Sequence, residues 1–403
     1  MSLPDLDEYP RRDYLRGLVA ATAALAGCSG SDDETEPEPD GEEPAGNESD
    51  DRPVGVDERD GPASGVIADP PDRVYLPSHR DGTLTLSPQR AGDYGVMPHW
   101  TYPHTFWLTR GEQAVREDPD ALSLHFMFSV WDRQTRRSLP VNVAGPMRVF
   151  KDGETVGRPG APRPMISQSM GFHLGDNREF ATPGYEGALP EEGVYEVELQ
   201  LRPIGARKTG EFAGRFEEPR TVRFEFEFSE ELFSELDRRS ITFDEQRWGE
   251  PDAAELMTRQ TGIETPAQPP ATTLPPADEY PGELLGRSGE GGLPSSHDAQ
   301  FVLSYLDQSR LSADDGGYLL VSPRTPYNRI PLPEMSLSVE GAIEGELIET
   351  VDDTVGHHYG LSAALEPGES FDLVIDSPPQ VARHRGYQTA FLDMPPISLQ
   401  RRG

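Results

Sequence analysis

The sequence contains a single cysteine, Cys28, so no disulfide can form within the chain. It has only two lysines, Lys151 and Lys208, and its formal net charge is −35. A chain this acidic repels polyphosphate, which makes nucleic acid an unfavourable partner. Outside the N-terminus no apolar run is long enough to span a membrane. The 403 residues nevertheless give room for two or three domains with cores of ordinary size.

The first 28 residues resemble a lipoprotein export signal. A twin-arginine pair, Arg11 and Arg12, precedes the apolar run 17–26, and the following Leu25-Ala26-Gly27-Cys28 is similar to a lipobox. We therefore predict that 1–28 is a twin-arginine signal peptide. Lipid attached at Cys28 would then anchor the mature chain on the extracellular face of the cell membrane.

The remaining chain divides by composition. Residues 29–64 are acidic and Pro-rich with almost no apolar side chains, which predicts a disordered tether. Residues 65–229 and 283–403 are strand-rich, and 230–282 combines a short helix with a Pro-rich linker. The predicted fold class is all-β, with two immunoglobulin-like β-sandwich domains in tandem.

The individual elements follow from hydrophobic periodicity. Period-two alternation, typical of half-buried antiparallel strands, recurs in Leu122–Trp131, Tyr195–Leu201 and Thr221–Phe228. The candidate strands of the second half are Ala299–Leu306, Gly317–Val321, Glu334–Val339 and Phe371–Ile375. Leu232, Phe233 and Leu236 have helical spacing, which predicts a helix over Glu230–Arg239. His173-Leu-Gly175 and His358-Tyr-Gly360 each precede a Pro/Gly turn and a strand, which suggests that the two halves are distant repeats.

The segment MISQSMGFHLGDN, residues 165–177, is the first candidate site. Met165, Met170 and His173 lie before a Gly-Asp-Asn turn, and thioether sulfur with imidazole suits copper or iron. In a continuous strand Met165 and His173 would share a face, and Gly171 could break that alternation. The alternative is structural: the methionines fill core gaps, and His173 bonds a backbone carbonyl.

Other histidines and methionines extend the candidate set. Met97, His99 and His104 lie among aromatic residues in 96–108, although aromatic strands with edge prolines are also common in sandwiches. His125 falls on a predicted strand, where a core role is favoured. In the second half Met335 and His358 are weaker candidates, and His384 lies between two arginines whose charge opposes cation binding. Nucleophile, phosphate-loop and zinc-protease motifs are absent from the sequence.

These segments together resemble the periplasmic high-affinity iron(II)-transport proteins, which are immunoglobulin-like and carry a His/Met copper site. The similarity rests on 122–135, on Pro164-Met165-Ile and Phe172-His173-Leu-Gly175-Asp-Asn177, and on the strands 193–197 and 221–228. It covers about 90–229, and 358–360 more loosely. An early strand of that family, which carries histidine and acidic residues, is not recognisable in this sequence. The acidic composition resembles that of haloarchaeal proteins. The stretches 321–339 and 378–391 are similar to sequences in a related group of haloarchaeal lipoproteins.

The resemblance implies a membrane-anchored transition-metal binder in ferrous iron uptake, with a copper or iron ion held by Met165 and His173. His99 or His104 would complete the site. It also implies a homodimer and an iron permease as partner, and a carrier rather than an enzyme. One alternative is an immunoglobulin-like cell-surface interaction module without metal, and another is a copper oxidant acting on Fe(II).

Overall fold

The computed structural model describes residues 66–402, except 121, 183, 188, 258–272, 287–291 and 315. The predicted signal with Cys28, the tether 29–64 and part of the Pro-rich linker lie outside the described residues. Within those ranges no helix is long and apolar enough to cross a membrane.

The strands of the first half are β1 (His79–Arg80), β2 (Leu84–Thr85), β3 (Gln89–Ala91), β4 (Tyr94–Thr101), β5 (Phe106–Arg110), β6 (Gln113–Glu117), β7 (Ser123–Asp132), β8 (Ala144–Lys151), β9 (Glu154–Gly160), β10 (Arg163–Ser167), β11 (Gly171–Glu179), β12 (Gly193–Leu201), β13 (Arg207–Thr209), β14 (Arg220–Phe228) and β15 (Ile241–Thr242). Helix α1 (Glu230–Arg239) separates β14 from β15.

The strands of the second half are β16 (Glu283–Leu284), β17 (Ser295–Ser296), β18 (Ala299–Leu306), β19 (Tyr318–Arg324), β20 (Ser336–Gly341), β21 (Gly345–Glu346), β22 (Ile348–Asp352), β23 (Gly356–Ser362), β24 (Ser370–Ser377), β25 (Ala382–Arg383) and β26 (Ile397–Gln400). Short 3-10 turns occur at Gly210–Phe212, Glu245–Arg247 and Ala277–Glu279. The all-β class predicted from the sequence is confirmed.

Local sequence explains these elements. β14 alternates exposed and buried positions along its whole length, with Phe224, Phe226 and Phe228 facing inward. Helix α1 spans the predicted residues, and its N-cap Ser229 accepts a hydrogen bond from the Leu232 amide. A helix with one buried residue, Leu236, lies on the surface of the sandwich rather than in its core.

The first half packs two sheets against each other. One is nine-stranded, with the order β2-β4-β7-β11-β10-β25-β5-β6 and β3 beside β4, and the other has the order β14-β12-β8-β9. Aromatic side chains fill the space between them: the ring centroids of Phe126 and Phe226 are 5.0 Å apart, and those of Trp100 and Phe228 are 6.0 Å apart. This core covers one face of the nine-stranded sheet and leaves the other face for the site.

The second half repeats the same strand order. β18-β19-β23-β22 corresponds to β4-β7-β11-β10, and β26-β24-β20-β21 corresponds to β14-β12-β8-β9. The correspondence places His358 of β23 where β11 carries His173, which supports the duplication suggested by the sequence.

The two halves also exchange strands. β25 pairs with β10 and β5 in the first half's sheet, and β13 pairs with β22 in the second half's sheet. One hydrophobic core runs through both sandwiches. The strand-rich segments 65–229 and 283–403 therefore complete each other's sheets, and a description as two tandem domains remains a prediction.

Candidate metal centre

The outer face of the nine-stranded sheet carries histidine and methionine side chains. On β4, β7 and β11 the even-numbered residues Trp100, Phe126 and Leu174 belong to the core. Since successive strand residues alternate between faces, the odd-numbered residues project outward. The strand register aligns them in three rows: His99–Met127–Gly175, Thr101–His125–Asn177 and Met165–His173.

Four imidazoles meet above this face. His125 and His173 come from the sheet, His104 from the loop after β4, and His384 from the residue after β25. His104 Nε2 lies 3.0 Å from His384 Nδ1, and His173 Nε2 lies 3.2 Å from His384 Nε2. The ring centroids of His104 and His125 are 4.1 Å apart. One ring nitrogen each of His104, His125 and His384 falls within 4.8 Å of the other two.

Neighbouring oxygens fix the tautomer of three of these rings. His104 Nδ1 lies 3.1 Å from the Tyr102 carbonyl, and His173 Nδ1 lies 3.0 Å from the Gly171 carbonyl. His125 Nδ1 lies 2.9 Å from Oδ1 of Asn177, whose amide nitrogen donates to the His104 carbonyl. Because these oxygens only accept, each Nδ1 carries the proton, and each Nε2 presents a lone pair. Metal-binding histidines are held in this way by their outer partners.

His384 cannot satisfy both of its neighbours as a neutral ring. It carries one N–H, which can be donated to His104 or to His173 but not to both. At its other edge two lone pairs then face each other across about 3 Å. A cation would relieve this repulsion. Two nitrogens bound at 2.0–2.1 Å to one tetrahedral ion are about 3.3 Å apart, close to the separations observed.

Two further ring nitrogens lack a partner. Nε2 of His125 and Nε2 of His99 are buried without a hydrogen bond among the described residues. An unsatisfied buried nitrogen is costly, so each needs a ligand that the surrounding side chains do not supply. The donor set therefore fits a transition-metal ion.

Burial keeps the rings in the form that binds metals. Burial lowers the pKa of His104 and of His173 to about 4. It lowers the pKa of His99 to about 3, and it places the pKa values of His125 and His384 well below the usual range. All five rings are thus neutral at pH 7, and no proton must be displaced from their lone pairs at that pH.

The methionines predicted as ligands take different places. Met165 is fully buried opposite His173. A Cβ on Gly175 would lie 2.9 Å from Met165 Sδ and 3.2 Å from His173 Cδ2, so glycine leaves room for the thioether beside the ring. Met170 lies in the loop between β10 and β11 and lines a cleft beside the cluster. Met97 shares the outer face, opposite Ser129.

The local conformation predicted for residues 165–177 is wrong in one respect. Gly175-Asp176-Asn177 is not a turn but continues β11, because all three residues pair with β7 and Gly175 also pairs with β10. The turn lies earlier, at residues 168–170, and ends at Gly171 with φ of 75°. Met165 and His173 still share a face, as a cross-strand pair of a hairpin.

The cleft opens beside His104 and His384. Arg385 Nη2 donates to Asp81 Oδ2 at 2.6 Å, and that oxygen lies 3.5 Å from His104 Nδ1. Burial opposes ionisation of Asp81, but Arg385 and His79 outweigh it and hold the pKa of Asp81 well below its usual range. The carboxylate therefore adds negative charge next to the imidazoles.

His125 and His384 are the residues that sequence reasoning passed over. His125 has the outward parity of Met127 on β7, a signal available from alternation alone. For His384 the flanking arginines suggested repulsion of cations. In the structure Arg385 pairs with Asp81, while the Arg383 guanidinium donates to the Ala390 and Phe391 carbonyls. Arg385 thus has a carboxylate partner, although its charge still adds to the burial that lowers the pKa of His384.

The candidates of the second half lie away from this cluster. His358 Nδ1 faces the Gly356 carbonyl at 3.1 Å, as His173 faces Gly171, but its Nε2 meets the Tyr318 hydroxyl at 3.1 Å. The register puts Tyr318, Leu320 and Thr350 where the first half has His125, Met127 and Met165. Met335 lies in the hydrophobic core. The second half thus keeps the histidine of the repeat without its companions.

Comparison with known proteins gives one partial match. Residues 278–400 match the model of a family described as a domain of unknown function, DUF7350. No curated protein and no solved structure matches the chain. The matched segment contains His384, whereas the other three histidines of the cluster precede it.

Proposed function

We propose that this chain binds a transition-metal ion at the histidine cluster, defined as His104, His125, His173 and His384. The observation that carries the proposal is the orientation of the rings. Three of them hold their protons on Nδ1, and the Nε2 lone pairs of His104 and His173 face the ring of His384, which cannot donate to both. Nε2 of His125 is buried beside them without a partner among the described residues. Nitrogen donors beside a thioether favour copper, with Fe(II) as the second choice.

The physiological role that fits best is a component of ferrous iron uptake outside the cytoplasm. The resemblance of residues 164–177 to iron(II)-transport proteins supports this role, and an acidic tether behind a lipidated Cys28 would keep the protein near a membrane permease. In this role the protein carries metal and does not catalyse a reaction.

Metal content of matched variants tests the proposal. We expect at least one equivalent of copper in the purified full-length protein after exposure to Cu(II), and at least one equivalent less in His125→Gln. His358→Gln is the matched control, because His358 is as fully buried as His125, yet lies outside the cluster. Neither copper nor iron in the folded wild-type protein would refute the proposal and leave an interaction module without metal as the better interpretation.

A further inference from the structure

His384 has a different histidine at each edge of its ring. Nδ1 faces His104 Nε2, whereas Nε2 faces His173 Nε2. The lone-pair directions of the two nitrogens of an imidazole diverge, so one ion cannot bind both of them. We propose, building on the proposed function, that His384 bridges two metal ions. The first ion would be bound by Nδ1 of His384 together with His104 and His125. The second ion would be bound by Nε2 of His384 together with His173.

The second ion would have its own set of donors. Met165 Sδ and Cδ2 of the His173 ring both lie beside Gly175, 2.9 Å and 3.2 Å from the point that a Cβ would occupy there. His99 projects from the same face, with Nδ1 held 2.9 Å from the Thr85 hydroxyl and with Nε2 buried and unpartnered among the described residues. The strand register aligns His99 with Met127 and Gly175 on that face. This side of His384 therefore offers imidazole nitrogens and a thioether.

The donor sets at the two edges differ in chemical class. The His104 edge provides three imidazole nitrogens, which suits Cu(II) or Zn(II), whereas the His173 edge adds sulfur, which favours copper. A ring that binds through both nitrogens has lost its N–H proton. That proton passes to solvent when the second ion enters, and the charge of this ion compensates for the imidazolate.

A comparison of His358 with His173 shows why the bridge needs a residue from a distant segment. Its equivalent histidine, His358, faces Tyr318 at the edge where His173 faces His384. The tyrosine hydroxyl closes that position with a direct contact, whereas the first half leaves it to a ring supplied from beyond β25. The bridging position is thus specific to the composite site.

Copper stoichiometry of the full-length protein tests the bridge, with Cu(II) as the probe. We expect two copper ions in the wild-type protein, one in His125→Gln, one in His173→Gln, and at least tenfold weaker binding of both ions in His384→Gln. The control His358→Gln should retain two. One ion in the wild-type protein would overturn the bridge while the proposed function stands, and none would overturn both. Two ions of which His384→Gln loses only one would show separate sites.

A magnetic measurement decides the question if His384→Gln does not fold. With ferricyanide present to keep copper as Cu(II), an imidazolate bridge couples the two spins. The electron paramagnetic resonance intensity of the wild-type protein at two equivalents should then fall below twice the intensity at one equivalent. Two independent signals of full intensity would overturn the bridge.

Discussion

At the residue scale, the site depends on which atoms each histidine uses for its ordinary contacts. His104, His125 and His173 each commit Nδ1 to an oxygen, which leaves Nε2 for a ligand. His358 commits both nitrogens to protein oxygens. His125, His173 and His358 are equally buried, so burial alone would not distinguish them. The hydrogen-bond partners of their ring nitrogens do.

The thioether of Met165 gives a prediction at this scale. Met165→Leu keeps volume and apolar character, so the free energy of unfolding should change by less than about 1.5 kcal/mol. Removal of sulfur should weaken Cu(I) binding at least tenfold, because leucine offers no donor atom. Competition with a Cu(I) chelator measures the affinity, and Met335→Leu, in the core of the second half, is the control. Equal Cu(I) affinity of Met165→Leu and wild type would exclude sulfur from the site.

At the element scale, local signals define the helix and most strands, while pairing defines the site. The apolar spacing in 230–239 and the cap at Ser229 are sufficient to start and position α1. The alternation in β7 and β14 likewise appears in the sequence. No local pattern, however, states that β25 inserts between β10 and β5, since that pairing joins segments more than 200 residues apart.

The helix cap gives a prediction for one element. Ser229→Ala removes the side-chain acceptor for the Leu232 amide and should lower the free energy of unfolding by about 1 kcal/mol. Ser234→Ala, inside the same helix, should be neutral or slightly stabilising because alanine has the higher helix propensity. Urea denaturation of both variants measures the difference. A Ser229→Ala protein as stable as wild type would show that the cap contributes nothing to the fold.

At the scale of the whole molecule, the cluster joins two repeated sandwiches. The first half supplies two rings from the outward sheet face and a third from the loop after β4, and the segment after β25 supplies the fourth. Metal binding would therefore connect residues 211 positions apart in the chain and stabilise the folded state by mass action. In acid the buried neutral histidines destabilise the folded state.

The pH dependence of stability follows from these rings. Their pKa is about 6.5 in the unfolded chain, and for His104 and His173 it is about 4 in the folded protein. Between these values the unfolded state binds more protons, so the metal-free protein should lose stability as the pH falls from about 6.5 towards 4. The slope should reach about 1.4 kcal/mol per pH unit for each ring.

Denaturation of the metal-free protein at pH 7, 6 and 5 measures this slope. His173→Gln should reduce this slope, because it removes one of the buried neutral rings. Stability that stays constant from pH 7 to 5 would contradict the burial of neutral imidazoles.

The sequence by itself determined the all-β class, the helix over Glu230–Arg239 and the main strands, whereas the hairpin register decided that Met165 and His173 share a face. The class, the helix and the strands follow from periodicity and capping, which act over a few residues. The tertiary structure alone decided that His384 joins the cluster, that His125 faces it and that His358 does not. The physical reason is that strand register and the exchange of β13 and β25 place side chains together through long-range hydrogen bonds, which no local pattern encodes.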